Sequence, residues 1–485
     1  MTDSIKQYQN YIDGQWQPSQ SGRLFDNINP ADTTVVVGRF PASGPAEAEA
    51  AVLAATRAFA AWRATPISKR AKILNGAADY LEDRAEAFAR DLTQEEGKSL
   101  ALARDEISRT AQTFRFYAVE GQTFTGETYP QDDPLQYVYS HREPLGVVTV
   151  ISPWNFPASI PARKIAPALI TGNTVVFKPS SDAPLTGVHL VEALVHAGIP
   201  AGVLNCVIGR AGDVGLAMTA SRAVRAISFT GSTKAGEDIH RSVHLTTRLQ
   251  MELGGKNPLI VMEDADLDAA VDLAVKGGFS LTGQACTGTS RLIVVPQVKQ
   301  AFTQKLLERV KTLKIGPGLE AGMDLGPLAT AKQLETVLKY IAIGKEEATH
   351  LVGGERLRGG VYDAGYYVAP AVFTDVRPDM RIAQEEIFGP VLAIIEAADF
   401  KEAMAIANDS EYGLSAAIAT TNPRTMHQFT QDIEAGTVKI NRTTTGNLVN
   451  APFGGLKNSS TSTFRESGRA GLDFFTQVKT VYRGV

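Results

Sequence analysis

From Gly146 onward the sequence alternates between short apolar runs and segments of helical spacing, and this alternation constrains the fold more than any other feature. The apolar runs are predicted as strands at 147–151, 174–177, 203–208 and 223–230, and the other segments as helices at 158–169, 185–196, 211–220 and 233–243. A strand–helix–strand order at this spacing builds right-handed βαβ units and hence a parallel, doubly wound sheet.

A second alternating region begins after the glycine-rich hinge Leu253–Pro258. It contains predicted strands at 259–262, 292–295, 391–396 and 438–440, with helices at 265–276, 298–313 and 330–343. Two α/β domains that face each other leave a cleft at the carboxyl ends of their strands, where open sheets bind ligands. We therefore predict a dinucleotide-binding domain from residues 1–122 and 144–252, and a catalytic domain from residues 253–450.

The remaining chain shows weaker patterns. Residues 1–45 mix turn signals with short apolar runs and are predicted as an irregular lead-in, followed by helices at 46–59, 68–94 and 100–120. Residues 123–142 alternate and are polar, which fits an exposed two-stranded excursion. Edge strands of this kind are often covered by another subunit.

Composition excludes several classes of function. The 485 residues carry a net charge of −4, which gives no reason to expect a nucleic-acid or anionic-membrane partner. Two cysteines indicate a reducing compartment and no disulfide framework. The polar N-terminus does not look like a secretory signal, and no stretch reaches the ~20 apolar residues of a membrane span. We expect a cytoplasmic protein.

The most distinctive local feature is Cys286, which lies between glycines and small polar residues in the loop 283–289. Glycine lets the backbone bend and leaves the thiol uncovered, so this cysteine is a candidate nucleophile. An incidental surface thiol is the alternative. Cys206, in contrast, lies in an apolar run and is predicted as a buried side chain.

A cysteine nucleophile usually works with a base. None of the seven histidines lies in a glycine-rich loop or at metal-ligand spacing, which disfavours a Cys/His hydrolase and predicts no metal site. Glu252 is flanked by apolar residues at the end of a strand, so a raised pKa would suit it as a base, with a structural salt bridge as the alternative. Asn155, between Pro153 and Pro157, is a fixed amide donor of the kind an oxyanion site uses, or else a helix cap.

Two stretches could hold a cofactor. Gly231 and Ser232 lie between an apolar strand and a helix, where main-chain N–H groups suit a pyrophosphate, although a plain N-cap explains them equally. Lys178 follows a strand and could donate to ribose hydroxyls or a 2′-phosphate. No carboxylate follows it until Asp182, and Ser181 stands between them. This favours NADP, or use of both NADP and NAD.

Several motifs, in chain order, resemble those of the aldehyde dehydrogenase superfamily. They are PWNFP at 153–157, FTGST at 229–233, MELGGK at 251–256, GQAC at 283–286, EEIFGP at 385–390 and PFGG at 452–455. The resemblance covers essentially the whole chain. It implies an α/β fold with two doubly wound, Rossmann-like domains and a small β oligomerisation element, expected from residues 123–143 and 470–485.

The resemblance also implies a role for each matched residue. Cys286 attacks the aldehyde to give a thiohemiacetal, with Asn155 holding the oxyanion, and Glu252 activates the water that releases the acid from a thioester. The residues expected to hold the cofactor are Trp154, Lys178, Ser181, Gly231, Ser232, Glu386 and Phe388. Homodimers or homotetramers are expected.

The substrate is suggested by Arg163 and by the tail. Ser159 and Arg163 follow Asn155 at steps of four residues, so a helix places them on its side, and an arginine there could bind a distal carboxylate. Phe156 and Phe453 are expected beside them. The runs Asn441–Gly446 and Asn458–Glu466 are similar to those of dehydrogenases for 2-oxoglutarate semialdehyde (2,5-dioxovalerate).

Other functions stay open at this point. A succinate semialdehyde dehydrogenase would use Arg163 equally well. An acyl-CoA-forming relative is less consistent with Glu252, which favours water as the acceptor. From a different class, a non-catalytic scaffold derived from the family is opposed by the presence of Cys286, Glu252 and Asn155 together.

Overall fold

The computed structural model describes residues 5–484, and its architecture is built on two seven-stranded sheets. The strands are β1 (Asn10–Ile12), β2 (Gln15–Gln17), β3 (Leu24–Ile28), β4 (Val36–Pro41), β5 (Thr128–Tyr129), β6 (Tyr137–Pro144), β7 (Val147–Ile151), β8 (Thr174–Lys178), β9 (Leu204–Cys206), β10 (Val224–Thr230), β11 (Arg248–Glu252), β12 (Asn257–Val261), β13 (Thr289–Val294), β14 (Thr349–Val352), β15 (Ala371–Thr374), β16 (Val391–Glu396), β17 (Tyr412–Gly413), β18 (Ser415–Ala419), β19 (Thr437–Ile440), β20 (Leu456–Lys457) and β21 (Thr476–Arg483).

Helices connect and cover these strands. They are α1 (Pro45–Ala64), α2 (Ile67–Asp83), α3 (Ala85–Glu96), α4 (Leu100–Thr123), α5 (Ser159–Ile170), α6 (Pro184–His196), α7 (Ala211–Thr219), α8 (Thr233–Ser242), α9 (Leu267–Phe279), α10 (Pro296–Lys311), α11 (Ala331–Glu347), α12 (Arg381–Gln384), α13 (Phe400–Asn408), α14 (Pro423–Asp432) and α15 (Ala470–Phe474). Within residues 5–484, no helix is both long enough and apolar enough to cross a membrane.

The first sheet has the strand order β11-β10-β7-β8-β9-β1-β2. Strands β7 to β11 pair in parallel, as the βαβ pattern predicts. Side chains of β7 alternate between the two faces, so that Val148 and Val150 pack in one apolar cluster while Val147 and Ile151 pack in another. The sheet is therefore buried on both faces, and its polar loops meet at the carboxyl edge.

The prediction of an irregular lead-in over residues 1–45 is wrong. Four strands occur there, and β1 joins the edge of the first sheet antiparallel to β9, with Tyr11 opposite Cys206. Each of β1 and β2 is only three residues long. A run of that length has no readable period, and its pairing with the sheet edge comes from tertiary contact.

The helix predicted at 68–94 is broken in two. Arg84, between α2 and α3, has φ −114° and ψ 12°, which is not helical. Its guanidinium lies over the ring of Tyr80 at 3.8 Å. No glycine or proline lies at this break. The helical spacing of apolar residues therefore continues through it, and the sequence predicts a single helix.

The second sheet has the order β14-β15-β16-β13-β12-β18-β19. All its neighbouring strands are parallel except β14, which runs antiparallel to β15. Strand β16 matches its predicted bounds, whereas β14, β15 and β18 were missed. β18 has the sequence SAAIA, and its alanines give little strand signal although every residue of it is buried.

A small third sheet joins distant parts of the chain. Strand β21 pairs with β6 over eight residues, from Thr476 opposite Pro144 to Arg483 opposite Tyr137, and β5 pairs with the other side of β6. The fold is thus two doubly wound, Rossmann-like sheets with a small β element. Every strand of the first sheet precedes Leu253 and every strand of the second follows it; the exact domain boundaries stay a prediction.

Candidate active site

A cavity of about 420 Å³ lies between α4 and α5 on one side and α9 with the cysteine loop, residues Gly283–Thr289, on the other. Strands β10 and β11 contribute their carboxyl ends to it. Six residues predicted from the sequence line this one cavity: Phe156, Ser159, Arg163, Glu252, Cys286 and Phe453. Among the described residues that line it there is no histidine, so a carboxylate is left as the candidate base.

The cysteine loop is held by neutral hydrogen bonds. The backbone turns sharply where the loop begins, with φ of 55° at Leu281 and 72° at Gly283, the first residue of the loop. The Asn257 Nδ2 group donates to the carbonyl oxygen of Cys286 at 2.8 Å and to that of Gly288 at 2.9 Å. Asn257 thereby fixes the main chain on both sides of the thiol, which is itself partly exposed to the cavity.

The two cysteines differ as predicted. Cys206 is fully buried in β9, and burial raises the pKa of its thiol strongly. Burial also raises the pKa of Cys286 to about 12, helped by the nearby carboxylates of Glu386 and Glu252. The Cys286 thiol is therefore neutral at rest near pH 7, and its proton has to leave when it attacks a substrate.

Glu252 ends β11 and its side chain is buried. Burial, together with the nearby carboxylate of Glu466, holds the pKa of Glu252 well above its usual range, while the Lys164 ammonium opposes this rise. Within residues 5–484 neither carboxylate oxygen of Glu252 has a hydrogen-bond partner. A buried carboxylate with free oxygens and a raised pKa is suited to take a proton from water near neutral pH.

Asn155 lies in the loop between β7 and α5 and reaches across the cleft. Its Nδ2 group donates to the carbonyl oxygen of Gln284 at 2.9 Å, two residues before the nucleophile candidate. The main-chain carbonyl oxygen of Asn155 accepts a hydrogen bond from the buried Lys98 Nζ at 2.7 Å. An amide has two N–H donors, so the second one on Asn155 is left for an oxyanion.

Lys98 also pairs with Glu106, with 2.6 Å between Nζ and Oε2. The other oxygen of Glu106 accepts from the main-chain N–H groups of Ala158 and Ser159 at 2.9 and 3.1 Å, at the start of α5. The Glu106 carboxylate therefore caps the helix that carries Arg163. Its negative charge also interacts favourably with the positive end of the helix dipole. Lys98 and Glu106 together fix the Asn155 loop.

A second buried ion pair lies one turn further along α5. Lys164 Nζ lies 2.6 Å from Glu466 Oε2 and donates to Ser228 Oγ at 3.0 Å. Arg163 Nη1 lies 4.0 Å from the other oxygen of Glu466, and 13% of the Arg163 side chain is exposed. Arg163 thus faces the cavity while part of its charge is balanced by Glu466.

The residues expected at a cofactor site lie along the carboxyl edge of the first sheet. Lys178 ends β8, and burial lowers the pKa of its amine to about 8, which the charge of Asp182 opposes. Ser181 lies in the loop that follows. Ser232 accepts a hydrogen bond from the Ala235 N–H at 3.3 Å and so is the N-cap of α8, with Gly231 before it. The cap role is observed; the cofactor role stays a prediction.

Trp154, in the loop after β7, and Phe388, just before β16 of the second sheet, form an edge-to-face pair with ring centroids 5.5 Å apart. Phe388 has φ 57°, in the left-handed region. Glu386 accepts a hydrogen bond from the Gly255 N–H at 2.9 Å, and burial raises the pKa of its carboxyl to about 7. These three residues therefore lie together beside the hinge between the two sheets.

Polar groups at this edge fit a nicotinamide dinucleotide. The hydroxyls of Ser152, just after β7, and Thr230, at the end of β10, are buried without a hydrogen-bond partner in the described part of the chain. Among residues 5–484, the Lys178 ammonium donates only to the carbonyl oxygen of Pro179, at 3.1 Å. A ligand rich in hydroxyl and phosphate oxygens would satisfy such groups.

The model of the aldehyde dehydrogenase family matches residues 16–481, nearly the whole chain. The chain belongs to this family. Its activity is oxidation of an aldehyde with a nicotinamide dinucleotide as the acceptor, which confirms the activity predicted from the sequence motifs.

Similar members of the family share the full length. An alpha-ketoglutaric semialdehyde dehydrogenase of Bacillus subtilis is 45% identical over 98% of both chains. A 2,5-dioxopentanoate dehydrogenase of Saccharolobus solfataricus is 42% identical over 99% of this chain and all of its own. The structure of a Staphylococcus aureus betaine aldehyde dehydrogenase in complex with NAD+ has a TM-score of 0.95 at 35% identity, with coverage of 98% of this chain and 94% of that one.

The sequence did not single out Lys98, Glu106, Lys164, Glu466 or Asn257. Charged residues beside a glycine, such as Glu96 and Lys98, usually belong to a solvated helix end, and nothing in the local pattern indicates burial. Lys164 is adjacent to Arg163, but its partner is 302 residues away. A possible signal was a lysine at 164 inside an otherwise apolar helix, since a buried cation requires a carboxylate.

Proposed function

We propose that this aldehyde dehydrogenase oxidises 2-oxoglutarate semialdehyde to 2-oxoglutarate, with Cys286, Glu252 and Asn155 as the catalytic residues. The observation that carries the catalytic part is the common cavity of Cys286 and Glu252 with the Asn155 amide bonded to the same loop. The substrate part rests on Arg163 in that cavity and on the names of the relatives.

In the first half-reaction, the Cys286 sulfur attacks the aldehyde carbon. The carbonyl oxygen becomes an oxyanion, which the free N–H of the Asn155 amide and the Cys286 main-chain N–H stabilise. A preorganised donor of this kind contributes a factor of about 10²–10³ in rate. Burial raises the pKa of the Cys286 thiol, so its proton passes to solvent as the carbon–sulfur bond forms.

A nicotinamide held along the carboxyl edge of the first sheet would supply the hydride acceptor, so that loss of hydride from the thiohemiacetal would leave a thioester on Cys286. Glu252 then removes a proton from a water molecule that attacks the thioester carbon. The carbon–sulfur bond breaks, the carboxylic acid leaves, and the sulfur regains a proton. A covalent thioester thereby divides oxidation and hydrolysis into two easier steps.

The cofactor would be held along the carboxyl edge of the first sheet. Ser232 and Gly231 at the start of α8 would contact the pyrophosphate, and Lys178 with Ser181 the adenosine ribose. Glu386, Phe388 and Trp154 would hold the nicotinamide end. We propose that NADP and NAD are both accepted with a slight preference for NADP, since no carboxylate is at position 181.

The nearest alternative is succinate semialdehyde, whose carboxylate is one carbon closer to the aldehyde. Arg163 would bind either carboxylate bidentately. The names of the similar proteins from Bacillus subtilis and Saccharolobus solfataricus favour the longer substrate. The small polar run Thr443–Gly446, part of which lines the cavity, leaves room for its oxo group.

The deciding experiment is nicotinamide reduction by the purified protein. 2-Oxoglutarate semialdehyde, succinate semialdehyde and propanal are compared, each with NADP and with NAD. We expect the highest kcat/KM for 2-oxoglutarate semialdehyde. A higher value for propanal would disprove the substrate, and absence of reduction with any aldehyde would disprove the catalytic assignment.

The adenosine-ribose assignment has its own test. Ser181→Glu is expected to lower the kcat/KM ratio of NADP to NAD, because a carboxylate repels a 2′-phosphate. Thr425→Glu, on the exposed helix α14, is the control. An equal ratio in the two variants would remove Ser181 from the ribose end.

The assembly is proposed to be a homodimer or homotetramer formed through the small sheet of β5, β6 and β21. Large apolar side chains on it are exposed, namely Tyr137, Tyr139, Val478 and Tyr482. An exposed apolar strand surface of this kind favours coverage by another copy. Light scattering of the purified protein measures the size. The cytoplasmic location stays a prediction.

A further inference from the structure

Helix α4 carries three arginines, and only one of them faces the catalytic cavity. Arg104 pairs with Glu86, and Arg115 pairs with Asp79 and Glu82. Arg109 lines the cavity, is exposed, and makes no ion pair within residues 5–484. The cavity-facing arginine is thus the one whose charge no carboxylate of the described chain balances.

The packing of α4 against α5 places Arg109 at the level of the substrate region. Glu106, early in α4, caps the start of α5 at Ala158, and Gly121, late in α4, packs against Ile170 at the end of α5. The two helices therefore run side by side in the same direction. Arg109 is one turn beyond Glu106, so it lies level with the first turns of α5, which carry Arg163.

The charges around the cavity favour Arg109 as a carboxylate site. Two carboxylates of the cavity lining already have cations, since Glu106 pairs with Lys98 and Glu466 with Lys164, whereas burial holds the pKa of Glu252 well above its usual range. Arg163 is 4.0 Å from Glu466 and is partly balanced by it. Arg109 retains its full charge.

Two further charged residues lie on the cavity lining. Lys276, in the last turn of α9, is an exposed cation on the opposite side, and it makes no ion pair in the described chain. Asp105, one turn before Arg109, is a carboxylate without an ion pair in residues 5–484. Two cations against one carboxylate leave this opening positive, which attracts anionic substrates.

We propose that Arg109 is a specificity-determining residue that joins Arg163 in binding the substrate carboxylate, from the opening of the cavity, with Lys276 adding to the attraction from the opposite wall. The proposal rests on the proposed function, because it requires a substrate with a distal carboxylate. Arg109 does not touch the reacting carbon, so its effect falls on charged aldehydes and not on the chemistry at Cys286.

The test compares the ratio of kcat/KM for 2-oxoglutarate semialdehyde to that for propanal in Arg109→Gln, Arg109→Lys and wild type. A hydrogen bond to a charged group typically changes binding by about tenfold or more, so we expect Arg109→Gln to lower the ratio about tenfold and Arg109→Lys to lower it less. Arg104→Gln is the matched control: it removes an exposed arginine of the same helix that pairs with Glu86.

Ionic strength gives a second readout. Added salt screens the attraction between Arg109 and the substrate carboxylate, so the wild-type ratio should fall with salt more steeply than the ratio of Arg109→Gln. Equal salt dependence, or an Arg109→Gln ratio equal to that of Arg104→Gln, would overturn the proposal. A wild-type ratio below one would instead overturn the proposed substrate, whatever Arg109 does.

Discussion

The two walls of the cavity are held together by different chemistry. The charged wall consists of α4, α5 and their buried ion pairs, Lys98–Glu106 and Lys164–Glu466. The neutral wall is the cysteine loop, which is fixed by the amides of Asn257 and Gln284 and by the turn at Leu281. The charged wall carries the proposed oxyanion donor, Asn155, and the neutral wall carries the proposed nucleophile, Cys286.

This difference separates two tasks. Ion pairs with short distances fix α5 and the Asn155 loop firmly, and they also act on the pKa of Glu252 through Glu466. Neutral amides hold the loop of Cys286 without adding a charge beside the thiol. Burial is the largest cause of the raised pKa of both Cys286 and Glu252, and at Glu252 the charges of Glu466 and Lys164 on the charged wall adjust the pKa further.

The largest effect is expected when the charged wall loses a cation. Lys98→Met leaves Glu106 buried without its partner, and breaking a buried pair typically costs about 3–5 kcal/mol of unfolding free energy. Urea unfolding followed by tryptophan fluorescence measures this. Lys305→Met is the control, since Lys305 pairs with Asp268 at the surface. If both substitutions shifted the urea midpoint equally, the buried ion pair would contribute no more to stability than the surface pair.

A smaller loss is expected from the neutral wall. Asn257→Ala removes the hydrogen bonds to the carbonyl groups of Cys286 and Gly288, which together are worth about 2–3 kcal/mol. The loop should also move, so alkylation of Cys286 by iodoacetamide should change in rate. Asn458→Ala, which removes an exposed bond to Glu411, should change neither. If Asn257→Ala unfolded with the same free energy as the wild type, Asn257 would not be a residue that fixes the cysteine loop.

The coupling between charge and base is tested by Glu466→Gln. The negative charge of Glu466 raises the pKa of Glu252, so a neutral glutamine should lower it, and Lys164, left without its partner, should lower it further. Glu252 then ionises at lower pH, and the acid limb of the kcat–pH profile should move to lower pH. Movement in the opposite direction would refute this coupling. The exposed Glu411→Gln is the control.

The smallest effect is expected from the second cysteine. Cys206→Ala removes a small buried group from β9 and should cost about 1 kcal/mol, with rapid labelling of one cysteine retained. Cys286→Ala should abolish that labelling with little change in stability. Rapid labelling in Cys286→Ala would show that Cys206, in β9, is the reactive thiol.

Much of the fold could be predicted because its signals are long or repeated. The bounds of β7 and β16 follow from apolar runs, the position of α9 follows from helical spacing, and the hinge after Glu252 follows from its glycines. β1 and β2, with three residues each, are too short to show a period. Arg84 breaks a helix without any residue that breaks helices.

The candidate site likewise has residues that the sequence predicts and residues that only the folded structure shows. Cys286, Glu252 and Asn155 lie in short motifs with distinctive neighbours, so the sequence pointed to them. The charged wall depends on partners that meet only in the folded chain, such as Lys164 with Glu466. The pairing of charges is a property of the tertiary structure, so a local pattern such as a lysine in an apolar helix can indicate that a partner is needed but cannot say which residue it is.

The pairing of Lys164 with Glu466 also bears on protein synthesis. The two residues are 302 positions apart, and β21, which follows Glu466, completes the small sheet. During translation the first sheet can fold before the C-terminal residues are made, since chains tend to fold from the N-terminus. The emerging polypeptide cannot complete its charged wall, however, until Glu466 has been synthesised, 302 residues after Lys164. Assembly of the charged wall therefore has to follow folding of the first sheet.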